Sequence, residues 1–280
     1  MKWAIFFILY STHSFSSIFG NDDRIDTRLT SASVQELARS VPALIQKHRI
    51  HKVGENKFSL RGTPMRELQM CQDETFSDES LIANCSASLI APDKVLTAAH
   101  CLNSVGYECS TYSVVFDYQN DGSNEYVLDG NQIYQCKKIL YFDFKRDLSG
   151  VDLAVIELDR PVLDRTPVRL KKGVSAGEEL FMIGYPLGIS QKVVESGKVL
   201  SVDKKNVSFK TDLDSFSVNS GGPIFNSQNE QVGVLVRGTG LNLDKYGNES
   251  CYRWHRATSP TDYSAGNDLS PIPASLLNDK

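Results

Sequence analysis

Residues 211–224 read Thr-Asp-Leu-Asp-Ser-Phe-Ser-Val-Asn-Ser-Gly-Gly-Pro-Ile, and no other stretch says more about the chemistry of the chain. Within it, Ser220 is followed by two glycines, a proline and an apolar residue. Because glycine has no Cβ, the backbone of such a turn can come close to a bound molecule. A turn of this kind presents a serine hydroxyl as a nucleophile. The hydroxyl needs a base, and the base needs an orienting acid.

The best candidate for the base is His100, which lies in the sequence Leu-Thr-Ala-Ala-His-Cys at residues 96–101. It ends an apolar segment, follows two small alanines and precedes a cysteine that can anchor it. These features predict an imidazole held at the edge of a cleft. Of the other four histidines, His13 lies in an N-terminal segment that is expected to be removed. His48 and His51 stand in a polar, charged stretch that favours a solvated position, and the neighbours of His255 favour packing in a strand or loop.

The best candidate for the acid is Asp152, which opens the apolar sequence Asp-Leu-Ala-Val-Ile-Glu-Leu at residues 152–158. A strand of this composition would hold the carboxylate in a fixed position. Asp143 and Asp147 are nearby alternatives, but each stands among polar or charged neighbours. The three candidate groups therefore follow one another along the chain as histidine, aspartate and serine.

The first 20 residues have the pattern of a secretory signal peptide. Met1 and Lys2 give a charged start, residues 3–10 are apolar, and residues 11–20 are small and polar. The apolar run is too short to span a membrane. Cleavage after Ser16 and cleavage after Gly20 both fit the pattern. We therefore expect a secreted or periplasmic protein that does not associate with a membrane.

Composition limits the partners and cofactors of the mature protein. The net charge is −4 and the basic residues are scattered, which does not favour nucleic acid. The six cysteines show no Cys-x-x-Cys spacing, so an exported chain is expected to use them in disulfides and to bind no metal. Cys85 and Cys101 bracket two segments of one predicted hairpin, which predicts a bridge. The other four allow three pairings, with Cys109–Cys136 preferred.

Residues 21–64 differ from the rest of the chain in lacking strand patterns. Ser33 and Glu36 have capping-box spacing, and a helix is predicted from apolar residues at helical intervals: Val34, Leu37, Ala38, Val41 and Ile45. Pro42 is expected to kink or end this helix. We expect an N-terminal extension or an intramolecular pro-segment here, followed by the main domain at residues 65–280.

From about Cys71 onward, short β-rich segments alternate with Gly, Asn, Asp and Pro. The predicted strands are residues 86–90, 95–98, 112–118, 152–158, 180–185, 192–199, 206–210, 222–225 and 231–237. Many short strands at close spacing are typical of an antiparallel sandwich or barrel. Strands and helices do not alternate regularly, so a parallel α/β sheet is not expected.

Three motifs together resemble the chymotrypsin-fold (trypsin-like) serine peptidases: residues 96–101, residues 152–155 and residues 219–223. The order histidine, aspartate, serine is also that of this family, whereas α/β-hydrolases place the serine first. Residues 184–188 and 214–216 are similar to secreted bacterial members related to the glutamyl-endopeptidase branch. The resemblance covers the chain from about Cys71 to its C-terminus.

The resemblance implies a fold, a reaction and roles for particular residues. The fold would be all-β, with two antiparallel six-stranded barrels and the active site in the cleft between them. Ser220 would be the nucleophile, His100 the general base and Asp152 its orienting acid. The backbone N–H groups of Val218 and Ser220 would form the oxyanion hole. Polypeptides would be the substrates, and the reaction of such a serine endopeptidase needs no cofactor.

Two residues of the serine loop differ from the family pattern. Val218 stands where the family prefers glycine, and a β-branched residue restricts the backbone there. An alternative function is therefore a catalytically impaired homologue that acts as a protein-binding module. Asn219 stands where trypsin-like zymogens keep an aspartate that pairs with a new N-terminal ammonium, so activation by that ion pair is not expected.

The predicted substrate pocket consists of Asp214, Arg237 and Gly238. Asp214 lies six residues before Ser220, where the trypsin-like enzymes keep a carboxylate that selects Arg or Lys through a charge-assisted hydrogen bond. The alternative is a structural aspartate of the loop. Arg237 and Gly238 would lie beside the substrate backbone, where Arg237 would narrow the pocket or attract acidic residues.

Overall fold

The computed structural model describes residues 17–103, 109–145, 150–205, 207–239, 242–245, 247, 249–259 and 261–277. The regular secondary structure of the described chain is mainly β, with two short α-helices, α1 (Ala32–Ala38) and α2 (His100–Asn103). No helix in these ranges is long and apolar enough to cross a membrane.

The strands fall into two groups along the chain. The first group is β1 (Arg24–Asp26), β2 (Ala43–Gln46), β3 (Ile50–Lys52), β4 (Lys57–Leu60), β5 (Thr63–Pro64), β6 (Ser80–Leu81), β7 (Cys85–Ser86), β8 (Ser88–Ala91), β9 (Lys94–Thr97), β10 (Tyr112–Val115), β11 (Val127–Asp129), β12 (Ile133–Phe144) and β13 (Asp152–Leu158). The second group is β14 (Arg169–Leu170), β15 (Glu179–Gly184), β16 (Lys192–Asp203), β17 (Ser208–Thr211), β18 (Pro223–Asn226), β19 (Glu230–Gly238), β20 (Leu243–Asp244), β21 (Arg253–Trp254) and β22 (Ser264–Asp268).

The first barrel is an antiparallel sheet with the strand order β7-β2-β10-β12-β13-β9-β8. Only Ala87 separates β7 from β8. The two therefore act as one bent strand that pairs with β2 at one end and β9 at the other, and the sheet closes as six strands. Closure removes the free edges that would otherwise attract other chains.

The second barrel closes in the same way. Its strands pair in the order β16-β15-β18-β19-β22-β17, and β17 pairs again with β16. β1 and β14 add to the outside of this ring. The two antiparallel six-stranded barrels expected from the sequence are therefore confirmed.

Apolar side chains on successive strands fill each barrel. In the first barrel, β13 is buried along almost its whole length, as expected for a strand of Leu, Ala, Val and Ile. In the second barrel, Met182, Val194, Phe209 and Ile224 belong to one buried cluster. Each barrel thus has its own buried core, which fixes the positions of the strand ends.

The N-terminal region differs from its sequence-based description. Residues 21–64 contain strands: β1 pairs with β16 of the second barrel, and β2 pairs with β7 and β10 of the first. α1 ends at Ala38, before Pro42, and Ser31 caps it through a bond from the Val34 N–H. The apolar residues after Pro42 form buried β2 instead of a further helical turn, since proline lacks the N–H that a helix needs.

All described cysteines are in disulfides. Cys85 is bonded to Cys101, Cys109 to Cys136 and Cys71 to Cys251. The first two are the pairings that the sequence predicts. The Cys85–Cys101 bond joins β7 to α2 within the first barrel, directly beside His100.

Candidate active site

His100 and Asp152 are held together by two neighbouring strands. β9 runs through two alanines into α2, which begins at His100, and β13 begins at Asp152 beside it. The Asp152 Oδ1 accepts the backbone N–H of His100 at 2.8 Å, and Oδ2 lies 2.6 Å from the His100 Nδ1. A carboxylate is an acceptor, so this contact places the ring proton on Nδ1 and leaves Nε2 to accept another.

The two alternative acids do not take this position. Asp143 lies on β12 opposite Leu153, and the carboxylate that contacts His100 is that of Asp152. Asp147 lies outside the described residues. Asp152 is 5% exposed, and this burial strengthens its contacts with His100 because little water competes for the carboxylate.

Asn267 is a residue that the sequence reasoning missed. It lies on β22 of the second barrel and is fully buried. Its side-chain carbonyl accepts the backbone N–H of Asp152 at 2.8 Å, and its amide donates to the Val207 carbonyl at 3.3 Å. The aspartate of one barrel is thus tied to a strand of the other. An asparagine in Ser-Ala-Gly-Asn-Asp carries no sequence signal for this role.

Ser220 lies in a tight loop that packs against the strands around His100. Its carbonyl accepts the backbone N–H of Ser86 at 2.8 Å. Gly221 has φ +85°, and a Cβ there would lie 2.1 Å from the Ser86 carbonyl and 2.2 Å from the Thr97 Oγ1. Only glycine fits this space, so the glycine after the serine lets the loop sit directly on β7 and β9.

This packing brings the backbone of the serine loop against the segment that carries His100, since the Cys101 Sγ lies 3.7 Å from the Ser220 carbonyl oxygen. Thr97, which contacts the glycine of the serine loop, precedes His100 by three residues. Within the described part of the chain, no hydrogen bond joins the Ser220 Oγ to the His100 ring. Such contacts often tighten only when substrate binds.

Val218 adopts a backbone conformation that favours glycine. Its φ is +76°, and the Asn219 N–H donates to the Phe216 carbonyl at 3.0 Å, which closes a four-residue turn. Val218 is the third residue of this turn, the position at which a type II turn requires a positive φ. Among the described residues, the N–H groups of Val218 and Ser220 have no acceptor.

Asn219, the last residue of the same turn, is buried. Neither its side-chain oxygen nor its side-chain nitrogen has a hydrogen-bond partner among the described residues. The amide is neutral, so no ion pair forms at this position. The conformation of the loop therefore depends on its other contacts.

The N-terminal segment of the chain binds the Asp214 carboxylate. It accepts the backbone N–H of Phe19 at 2.6 Å and that of Asp23 at 3.4 Å. Burial raises the pKa of Asp214 to about 7, and the neighbouring Asp23 adds to this rise, while the Phe19 N–H and Arg24 oppose it. The structure thus gives this carboxyl a structural partner. Selection of Arg or Lys by Asp214 stays a prediction.

The other two predicted pocket residues lie at the end of β19. Arg237 pairs in register with Ala265 and Gly238 with Ser264. The Arg237 guanidinium donates to the Gly150 carbonyl at 2.8 Å, two residues before Asp152. Arg237 therefore ties the second barrel to the segment that leads into Asp152.

The part of the chain that the structure describes contains two groups of close metal-type ligands. One is Cys85, His100 and Cys101, and the other is Cys71, Glu249 and Cys251. The cysteines of both groups are in disulfides, so they offer no thiolate to a metal.

Comparison with known proteins identifies the family. The family model for the trypsin-like peptidase domain matches residues 85–234, which is more than half of the 280 residues. The chain therefore belongs to the family of trypsin-like peptidase domains and is by class a serine endopeptidase. This family assignment confirms the resemblance seen in the three sequence motifs.

A solved structure entitled "Structure of Glu endopeptidase in complex with MPD" has the same fold. The match covers 93% of this chain and 97% of that chain, with a TM-score of 0.55 and 19% sequence identity. At this identity the likeness concerns the chymotrypsin fold and its two barrels.

Proposed function

We propose that the protein is an exported serine endopeptidase that cuts polypeptides through His100, Asp152 and Ser220. The observation that carries this proposal is the double contact of Asp152 with His100, through the backbone N–H and through Nδ1. A carboxylate that holds both atoms fixes the position and the tautomer of the imidazole. This is what a histidine needs to act as a general base toward a serine.

The reaction follows from these positions in two halves. The Ser220 Oγ attacks the scissile carbonyl while the His100 Nε2 takes its proton, and the tetrahedral oxyanion binds the N–H groups of Val218 and Ser220. His100 then protonates the leaving amine, which gives an acyl ester on Ser220. A water molecule, activated by His100, hydrolyses the ester. One oxyanion donor typically contributes about 10²- to 10³-fold in turnover.

We further propose that the mature chain starts at Ser17 and keeps residues 21–64. Ser17 and Ile18 are fully buried, and the Ile18 N–H donates to the His255 carbonyl. Cleavage after Gly20 would remove these contacts, whereas cleavage after Ser16 keeps them. Loss of residues 21–64 as a pro-segment would take one strand from each barrel sheet. Three disulfides fit a secreted or periplasmic location.

A fluorophosphonate probe with intact-mass detection tests the proposed function. The wild-type protein should gain one probe mass, and Ser220→Ala should gain none. Labelling that persists in Ser220→Ala would exclude Ser220 as the nucleophile. The wild-type mass measured without probe reports the mature N-terminus in the same experiment.

The second candidate function is a protein-binding module with impaired catalysis. The observation that favours it is the β-branched Val218 at a position with φ +76°. If the wild-type protein fails to react with the probe while Val218→Gly reacts, the binding module is the better description. Reaction of both proteins supports the peptidase.

A further inference from the structure

The turn of residues 216–219 needs support from outside it, because its third residue, Val218, is a valine with a positive φ. A β-branched residue with a positive φ is a rare and strained arrangement. Strain of this kind persists only where the surrounding structure holds the residue in place. The support has to act on the turn of residues 216–219, and the Asn219 side chain offers none because it has no partner among the described residues.

Ser86 supplies that support through its side chain. It is fully buried at the end of β7, and its Oγ lies 3.0 Å from the Val218 carbonyl oxygen. The same Oγ accepts the Tyr185 N–H at 3.1 Å. A serine hydroxyl has one proton to donate. Because Tyr185 already donates to this oxygen, the proton of Ser86 is directed at Val218.

The contact holds the peptide plane between the two oxyanion donors. The carbonyl of Val218 is bound by the Ser86 Oγ, and the N–H on the other side of this peptide, that of Asn219, is bound by the Phe216 carbonyl. The plane is therefore fixed at both ends. Since the N–H groups of Val218 and Ser220 lie on either side of it in the chain, their relative direction depends on this plane.

Ser86 is itself anchored to the strand that leads to His100. Its backbone N–H donates to the Ser220 carbonyl at 2.8 Å, and its carbonyl accepts the Thr97 Oγ1 at 2.8 Å. Cys85, one residue earlier, is bonded to Cys101. The hydroxyl of Ser86 thus acts from a rigid position that is shared by the serine loop and the histidine segment.

We propose that Ser86 is a positioning residue for the oxyanion hole: its hydroxyl holds Val218 in the left-handed conformation that lets the N–H groups of Val218 and Ser220 converge. This inference rests on the proposed function. It adds a residue outside the three sequence motifs, and it explains how valine is accepted where the family prefers glycine.

The test compares Ser86→Ala with Ser88→Ala. Ser88 is equally buried on the adjoining strand β8, and its Oγ has no partner among the described residues, so it is a matched control. Ser86→Ala should lower kcat and the rate of fluorophosphonate labelling by roughly tenfold to a hundredfold, with KM little changed. Ser88→Ala should leave all three unchanged. Wild-type rates in Ser86→Ala would overturn the proposal.

A double-mutant cycle with Val218→Gly separates positioning from a general loss of structure. Glycine tolerates a positive φ without support, so Ser86→Ala should cost much less kcat in the Val218→Gly background. Equal losses in both backgrounds would overturn the proposal. The same cycle is measured by thermal unfolding. If the wild-type protein is inactive and the proposed function fails, a smaller destabilisation by Ser86→Ala in Val218→Gly still supports the positioning role, and equal destabilisation refutes it.

Discussion

Asn267, on a strand of the second barrel, accepts the backbone N–H of Asp152 at the start of a strand of the first barrel, at 2.8 Å. The proposed catalytic acid is thus held from three directions: by its own strand, by His100 and by the opposite barrel. Because the proposed nucleophile, Ser220, belongs to the second barrel and the proposed base, His100, to the first, a buried link between the barrels limits their relative movement.

Asn267→Leu should lower kcat by about tenfold and reduce stability by about 1–3 kcal/mol, since it leaves the buried N–H of Asp152 without an acceptor. Leucine has a similar size, so packing changes little. Steady-state kinetics and urea unfolding measure the two effects. Asn226→Leu is the control: Asn226 is buried on β18 and binds the turn at Gln228 and Glu230. It should lose stability without losing kcat, and equal kcat losses in both variants would contradict the role of Asn267.

Much of the fold could be predicted because the strands have strong local patterns. Each of the nine predicted segments overlaps a strand of the structure. The longest missed strand, β12, contains Lys137 and Lys138 and two register shifts, which hide its alternation. β22 was missed because Ser-Ala-Gly-Asn-Asp has low β propensity. β2 was missed because its apolar residues continue the period of α1.

The residues of the candidate site also fall into two groups, those that stand in a sequence motif and those that do not. His100, Asp152 and Ser220 could be named as candidates from the sequence because each stands in a motif of several residues. Ser86 and Asn267 could not, because their contacts with the candidate site are buried hydrogen bonds to distant segments. The hydrogen bond from the Phe19 N–H to Asp214 also joins residues almost 200 positions apart. Such contacts leave no periodicity or spacing in the sequence.

Gly221→Ala should abolish activity and lower the free energy of unfolding by several kcal/mol. The new Cβ would meet backbone and side-chain oxygens of β7 and β9 at distances under 3 Å. Gly173→Ala is a close control, since Gly173 has φ +84° and no heavy atom within 4 Å of a Cβ. It carries only the backbone penalty of alanine at positive φ, about 1 kcal/mol. Similar losses of activity in the two variants would show that steric fit is not the reason.

Removing the Cys85–Cys101 disulfide with a pair of alanines should lower both stability and activity, because Cys101 adjoins His100 in α2. The chain-entropy contribution of a loop of this size is about 3 kcal/mol. The Cys71–Cys251 disulfide closes a far longer loop, worth about 5 kcal/mol by the same relation. Its removal should cost more stability and less kcat. Thermal unfolding and kinetics below the unfolding transition give the comparison, and the opposite order in kcat would refute it.

The free energy of unfolding should depend on pH through the titration of the Asp214 carboxyl. Its pKa is about 7 in the folded protein against an ordinary value of 3.8, so between these pH values the folded state binds more protons than the unfolded state. The contribution of Asp214 to stability is therefore fully present below about pH 4, falls as pH rises, and levels off above pH 7. The neighbouring Asp22 and Asp23 strengthen this trend and Arg24 weakens it.

Asp214→Asn keeps an acceptor for the Phe19 N–H and removes the titration. Unfolding measured at several pH values should show that the variant gains stability relative to wild type as pH rises from 4 to 8. Asp121→Asn is the control, because Asp121 is exposed and its pKa is lowered by hydrogen bonds from Ser123. The difference between each variant and wild type cancels the titration of the histidines. A difference that does not change with pH in Asp214→Asn would show that burial does not raise the pKa of this carboxyl.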